Sequence, residues 1–429
     1  MARSWAERDA AVVWHGFTQM ASYLDNAPIV VERAERRELV DVDGKRYLDA
    51  ISSLWVNTLG HRVRELDAVL AEQAGRVAHS TLLGNGNRLV VELAEALAEV
   101  VPVDQPHFLF ASDGAAAVEQ ALKIAFQFFT NQGIANRTRY LAFGGAYHGD
   151  TVGSLSVGAG GFGTDVFDPL RFPVLRAPDY TDPDCYRAAA RMVDEFGLEL
   201  AAVVFEPLVQ GAAGMAMAPP DGLDELVAAC RRNGVLVVAD EVATGFGRTG
   251  TLFASEQVGL RPDLLSIGKG LTGGYLPMSA TVATQHVYDA FLGEDLSERT
   301  FYHGHSYSGN ALAAAVALRH LQLIGEWAVL ENVRARSEQL AKALDARVAG
   351  KPSVKDIRLR GLMGGVELAP PQDGVRWGRK VCAAAVQRGV LLRPLGDVVV
   401  LMPPLTTTAD EIERIVSVLA EAVDEVTVA

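Results

Sequence analysis

Short apolar runs alternate with helical patterns through the middle of the chain. His107–Ala111 predicts a strand, followed by a Ser112-Asp113-Gly114 turn and an Ala-rich helix over Ala115–Phe129. Tyr140–Phe143 predicts a second strand, opening into Gly144-Gly145-Ala146-Tyr147-His148-Gly149-Asp150. Leu200–Phe205 is a third, ending at Glu206-Pro207. Leu223–Arg232 has helical spacing, Val235–Ala239 is a strand ending at Asp240-Glu241, and Leu264–Ile267 is a strand that stops just before Lys269. This alternation is the signature of βαβ units, so the pattern predicts an α/β large domain on a mainly parallel sheet.

The flanks read differently. Glu38-Leu39-Val40-Asp41-Val42 and Lys45-Arg46-Tyr47-Leu48 surround an Asp43-Gly44 hairpin signal. Towards the other end, Ala311–Ile324 and Val329–Val348 are helix-patterned, Val354–Leu359 and Met363–Leu368 are strand-like, and Ala409–Val426 predicts a closing helix. The expectation is a small α+β domain built from both chain ends, residues 1–60 and 321–429, around a large domain at 61–320. The 429 residues suit two to three domains.

Composition narrows the partners. The net charge of −14 repels phosphate backbones and anionic lipid, which argues against nucleic acid and membrane. Three scattered cysteines, Cys185, Cys230 and Cys382, fit a reducing compartment. The charged N-terminus is followed by no apolar run, and apolar stretches such as Ala201–Phe205 are strand length. A cytoplasmic protein is expected. Nine histidines show no paired metal spacing; His303 and His305 alternate as on a strand, and no metal site is expected.

Lysine usage points to chemistry. Only seven of the 39 basic residues are lysines, and the only one between Lys123 and Lys342 is Lys269, within Ser266-Ile-Gly-Lys-Gly-Leu-Thr-Gly-Gly274. Arginine cannot form an imine at neutral pH, whereas a lysine set among glycines after an apolar strand can. An imine-forming lysine that holds a pyridine aldehyde needs a buried carboxylate opposite the ring nitrogen. Asp240, at a strand end, fits that need. A phosphate needs N–H donors at a helix start, as Gly114-Ala115 offer. Tyr147 supplies a flat face for stacking. Acidic and reactive residues sit at several strand ends, the edge where open α/β sheets bind ligands.

The run Asp240-Glu241-Val242-Ala243-Thr244-Gly245-Phe246-Gly247-Arg248-Thr249-Gly250, followed by Gly268-Lys269-Gly270-Leu271-Thr272-Gly273-Gly274, resembles the class III aminotransferases. These are fold-type I enzymes that use pyridoxal 5′-phosphate. Within that class the chain is most similar to the 7,8-diaminopelargonate synthases of biotin biosynthesis. The similarity lies in Trp14-His15-Gly16-Phe17-Thr18-Gln19-Met20, Ser52-Ser53-Leu54-Trp55, His79-Ser80-Thr81-Leu82-Leu83-Gly84, His303-Gly304-His305-Ser306-Tyr307-Ser308-Gly309-Asn310 and Leu391-Leu392-Arg393-Pro394-Leu395. The resemblance implies transfer of an amino group onto 7-keto-8-aminopelargonate (8-amino-7-oxononanoate), with S-adenosylmethionine as donor and a homodimer with shared active sites.

It also implies roles. Lys269 would be the imine-forming lysine and proton shuttle, and Asp240 the partner of the pyridinium nitrogen. Gly114 and Ala115 would hold phosphate, with His305 and Ser306 reaching it from the neighbouring subunit. Tyr147 would stack on the ring and touch substrate, and Glu206 would be the acidic residue near the cofactor. Phe17, Trp55 and Gly304 would contact substrate, and Arg393 would hold the keto substrate's carboxylate. Departures from the family pattern are Gly16-Phe17 for Pro-Tyr or Pro-Phe, Leu54-Trp55 for Trp-Trp, Ala115 for a hydroxyl residue and Ser306 for Thr. The Phe-Thr-Gln-Met and His-Gly-His-Ser-Tyr variants also resemble relatives that take the amino group from lysine. Other ω-amino acid aminotransferases of the class share the same chemistry.

Overall fold

A computed structural model describes residues 3–161, 163–370 and 376–428. Its centre is a seven-stranded sheet made of β1 (His107–Ala111), β2 (Arg139–Phe143), β3 (Leu175–Ala177), β4 (Leu200–Phe205), β5 (Leu236–Asp240), β6 (Leu264–Ile267) and β7 (Ser279–Ala283). The spatial order is β1-β7-β6-β5-β4-β2-β3. β5 runs parallel to β4 and β6, and β2 runs parallel to β3 and β4. β7 alone is antiparallel to its neighbours β1 and β6.

The predicted α/β architecture is therefore present. Central strands covered on both faces read as continuous apolar runs, and every residue of β4 and β5 is buried. Alternate residues feed two separate cores. Leu141, Phe143, Val203 and Phe205 face one, while Tyr140, Ala142, Ala202 and Val204 face the other with the Gly114–Asn131 helix. Two features escaped the pattern. β3 is only three residues long. β7 is Ser-Ala-Thr-Val-Ala, too polar to read as a core strand. Its hydroxyls are satisfied by the helix beside it: Ser279 Oγ donates to the Asp113 carbonyl at 2.6 Å and Thr281 Oγ1 to the Ala117 carbonyl at 2.7 Å.

The chain ends meet in a second sheet. Glu38–Asp41 and Arg46–Asp49 form the expected hairpin, and Val390–Leu391 pairs in parallel with Leu48 and Asp49. Asp41 Oδ1 accepts the N–H groups of Asp43 and Lys45 at 3.0 and 2.9 Å, which fixes the turn. A third sheet combines Val354–Arg360, Met363–Leu368, Val398–Leu401 and Arg393–Leu395. The closing helix spans Ala409–Val428. The predicted helix at Val329–Val348 stops at Leu344 and continues as a wider turn over Asp345–Ala349. The expected strand alternation at His303 and His305 is also absent: Phe301–His305 has no strand partner among the described residues, and the two rings meet edge to face with centroids 5.0 Å apart.

Candidate active site

Parallel register puts the chemistry on one edge. Asp240 pairs with Ser266, so the end of β5 and the Gly268-Lys269 turn after β6 lie side by side. Glu206 follows β4, Tyr147 and His148 follow β2, and Gly114 follows β1. These residues open on a cavity of about 530 Å³ lined by Trp55, Gly114, Ala115, Tyr147, Asp240 and Lys269, among others. Its size is ordinary for a small-molecule site. A larger hollow of about 1150 Å³ lies along the outer face of the Gly114–Asn131 helix, and Glu206, Asp240 and Lys269 do not line it.

Lys269 adopts a left-handed φ of 39°, a conformation that lysine rarely takes and that neighbouring structure must enforce. Burial lowers the basicity of its amine, and the charges of Asp240 and Glu206 pull the other way. Asp240 is buried; its Oδ2 accepts from His148 Nδ1 at 2.7 Å and its Oδ1 from the Val242 N–H at 3.0 Å. Glu206, 5% exposed, accepts the N–H groups of Tyr147 and Gly211, both at 3.1 Å. Burial pushes its carboxyl up to about 7, with Asp240 adding to the rise and His148 opposing it.

The residues fit a phosphorylated pyridine aldehyde. Asp113 caps the helix by accepting the Ala116 N–H at 2.9 Å, which leaves the N–H groups of Gly114 and Ala115 at the open helix start. A side chain at Gly114 would meet Val242 at 2.5 Å, so only glycine lets this helix end approach the strand that carries Asp240. Ala115 lines the cavity without a hydroxyl, so an anion there would meet backbone N–H donors alone from this helix start.

Tyr147 reaches Asp150 Oδ2 with its hydroxyl at 2.9 Å. Burial and then the Asp150 charge push its phenol up, so it stays protonated at neutral pH; the Arg393 charge acts in the opposite sense. Arg393 is half-buried in a short strand and, among the described residues, forms no hydrogen bond or ion pair through its guanidinium. Trp55 closes the cavity with its ring centroid 5.2 Å from Lys269 Nζ, and its buried indole N–H has no acceptor among the described residues. It sits in a segment where Ser52, Ser53 and Trp55 all have positive φ. Ser52 Oγ donates to the Met402 carbonyl at 2.6 Å, and Asp49 accepts both the N–H and the hydroxyl of Ser53. Buried Arg248 donates to Ser52 Oγ at 3.2 Å and to the Pro403 carbonyl at 2.6 Å.

The chain thus brings together Trp55, Gly114, Ala115, Tyr147, Glu206, Asp240 and Lys269. It does not bring Phe17, Gly304, His305 or Ser306 to the same cavity. Phe17 is 63% exposed, and Gly304 and Ser306 are exposed on a strandless segment held outside by Lys123 on His303 and His79 on the Ser306 carbonyl. Arg393 lies near Tyr147 without lining the cavity. The sequence assigns no role to His148 or Asp150; their place in the Tyr147–Asp150 run after a strand is their only signal. Among the described residues no cluster of three or more His, Cys, Asp or Glu forms a metal site.

Known proteins share this plan. The aminotransferase class-III family profile matches residues 19–423. An adenosylmethionine-8-amino-7-oxononanoate aminotransferase of Nitratidesulfovibrio vulgaris is 47% identical over 98% of this chain and 81% of its own length. The crystal structure of the enzyme of that name from Methanocaldococcus jannaschii superposes with a TM-score of 0.95 at 37% identity, covering 98% of both chains. An ω-transaminase from Pseudomonas jessenii, solved in complex with PMP, gives a TM-score of 0.91 at 28% identity over 99% of this chain and 98% of its own. With lysine, carboxylate and helix start arranged as described, and with these likenesses over nearly its whole length, the chain belongs to the class-III aminotransferases, whose cofactor is pyridoxal 5′-phosphate.

Proposed function

We propose that this chain moves an amino group onto 8-amino-7-oxononanoate to give 7,8-diaminopelargonate, the transamination of biotin biosynthesis, with S-adenosylmethionine as donor. The carrying observation is the cavity that joins Lys269, Asp240 and Tyr147, with Arg393, which has no partner among the described residues, close by. The names of the N. vulgaris and M. jannaschii relatives support the acceptor. Bound cofactor supplies an aldehyde that links to amines and a ring that draws electrons from the reacting carbon.

The chain's own residues do the rest. Gly114 and Ala115 would orient the cofactor's phosphate with their backbone N–H groups, and Asp240, fixed by His148, would keep a proton on its ring nitrogen. Lys269 is the residue that would bind the cofactor's aldehyde, and its Nζ amine would carry a proton from the donor's α-carbon and later to the acceptor carbon. Trp55 and Tyr147 wall the cavity against water, and Arg393 grips the acceptor's carboxylate with a planar fork.

The same reading places Gly304, His305 and Ser306 in the neighbouring active site of a homodimer, because their own chain leaves them exposed or half-buried outside the Lys269 cavity. It assigns residues 1–60 and 321–429 to a small domain and 61–320 to the large one. It places the enzyme in the cytoplasm, with small molecules rather than nucleic acid or membrane as partners. The net charge supports this, and among the described residues no helix is long and apolar enough to cross a membrane. Incubating the protein with the keto acid and either S-adenosylmethionine or lysine, then assaying the diamine, tests the reading. Diamine with lysine alone would move the donor assignment, and none with either would overturn the acceptor.

A further inference from the structure

The loop that carries Tyr147 is fastened to the helix that starts at Gly114, and one carboxylate does most of the fastening. Glu119 lies in the second turn of the Gly114–Asn131 helix. Its Oε1 accepts the Thr151 hydroxyl at 2.6 Å, the Gly153 N–H at 2.7 Å and the Ser154 N–H at 3.1 Å. The last two are N–H groups of the first turn of the Val152–Val157 helix, which has no cap of its own: Thr151 stands at the cap position and forms no side-chain capping bond. Glu119 supplies from another helix the acceptor that a cap would supply locally.

The packing around this contact leaves no slack. A side chain at Gly149 would overlap Ala115, and one at Gly153 would overlap the Glu119 carboxylate. Gly149 also has a φ of +125°, a backbone conformation that only glycine adopts readily. The backbone of the Tyr147–Thr151 loop thus lies directly against the phosphate-binding turn.

We propose that Glu119 is a positioning residue, which locks the Tyr147–Thr151 loop onto the Gly114–Ala115 helix start so that the cofactor's ring and phosphate are held by one rigid unit. The proposal rests on the site reading above, in which Gly114 and Ala115 hold phosphate and Tyr147 faces the ring. Only Oε1 takes the three donors, so the geometry, and not the charge, carries the role. An amide at the same reach keeps that oxygen; an aspartate keeps the charge but is one methylene too short.

The test compares Glu119→Gln with Glu119→Asp in the holoenzyme. Three quantities are read: the dissociation constant of pyridoxal 5′-phosphate, the visible circular dichroism of the bound cofactor, and KM and kcat for the keto acid. Glu119→Asp should weaken cofactor binding about tenfold, change the dichroism band and raise KM more than it lowers kcat, while Glu119→Gln stays within about threefold of wild type in each. Thr151→Val, which removes one donor, should move the same quantities less. Losses in Glu119→Gln equal to those in Glu119→Asp would overturn the proposal, as would a fall in thermal stability with cofactor binding and dichroism unchanged. The dichroism and cofactor affinity need no substrate, so they report on Glu119 even if the wild-type protein fails to aminate this keto acid.

Discussion

His148 Nδ1 stands 2.7 Å from Asp240 Oδ2 with both side chains buried, so the carboxylate that ends β5 is oriented by a ring that follows β2. One strand supplies the charge and another, two places away in the sheet, fixes its direction. Asp240→Asn should leave the fold intact and lower kcat by about 10²–10⁴, the rate equivalent of about 3–5 kcal/mol for losing a buried charge pair. His148→Ala should cost less, about tenfold to a hundredfold, because it removes the orienting bond and keeps the charge. Steady-state kinetics on both variants checks the ranking. An Asp240→Asn loss under threefold would reduce Asp240 to a strand-end residue.

Lys269 and Glu206 are coupled through charge. Burial lowers the ammonium's pKa, and ionised Glu206 raises it. Removing that negative charge in Glu206→Gln should therefore lower the Lys269 pKa further. The effect should appear above about pH 7, where Glu206 is ionised, and fade below it, where the wild-type carboxyl is already protonated. The pH dependence of acylation of Lys269 in cofactor-free protein, followed by peptide mass spectrometry, reads both the sign and the window. An upward shift in the variant would contradict the coupling.

Arg393 carries no protein partner among the described residues, yet its charge reaches Tyr147. Arg393→Ala should reduce kcat/KM for the keto acid by about 1.5–3 kcal/mol, the worth of a charge-assisted contact. The half-reaction with S-adenosylmethionine should suffer less. Stopped-flow absorbance on each half-reaction separates the two; equal losses would assign Arg393 to both substrates or to the cofactor.

His320 sets an acid limit on stability. It is fully buried behind the Lys269 turn, with Nε2 2.6 Å from Thr58 Oγ1, and burial pushes its pKa down to about 4. The unfolded chain takes up this proton below about 6.5, whereas the folded chain refuses it until about 4. Stability from neutral His320 is complete above about pH 6.5 and is lost as pH falls towards 4, about 3 kcal/mol in all. Urea unfolding of wild type and His320→Asn between pH 7 and 4.5 should show a shallower acid decline in the variant.

Much of this was legible in the sequence, and the exceptions have physical causes. The strand ending at Phe205 is apolar throughout and the one ending at Asp240 is apolar up to that carboxylate, because both faces are covered; Ser266 is the single polar residue in the strand ending at Ile267, so all three ends could be placed to within a residue. β7 was missed because its polar side chains find partners on a helix, which no periodicity reveals. His148, Asp150 and Glu119 gain meaning only from partners distant in sequence or across a loop. Phe17 and the Gly304–Ser306 segment were assigned by likeness alone, and in a single chain they lie outside the cavity.

The central claim is that Lys269 serves an amino transfer to this keto acid, and a single turnover tests it without a choice of donor. The purified protein is loaded with pyridoxamine 5′-phosphate, mixed with 8-amino-7-oxononanoate, and quenched with borohydride. The account predicts diamine in proportion to protein, cofactor fixed by reduction to the Lys269 peptide, and neither result in Lys269→Ala. Absence of diamine from wild type, or equal diamine from Lys269→Ala, would contradict it.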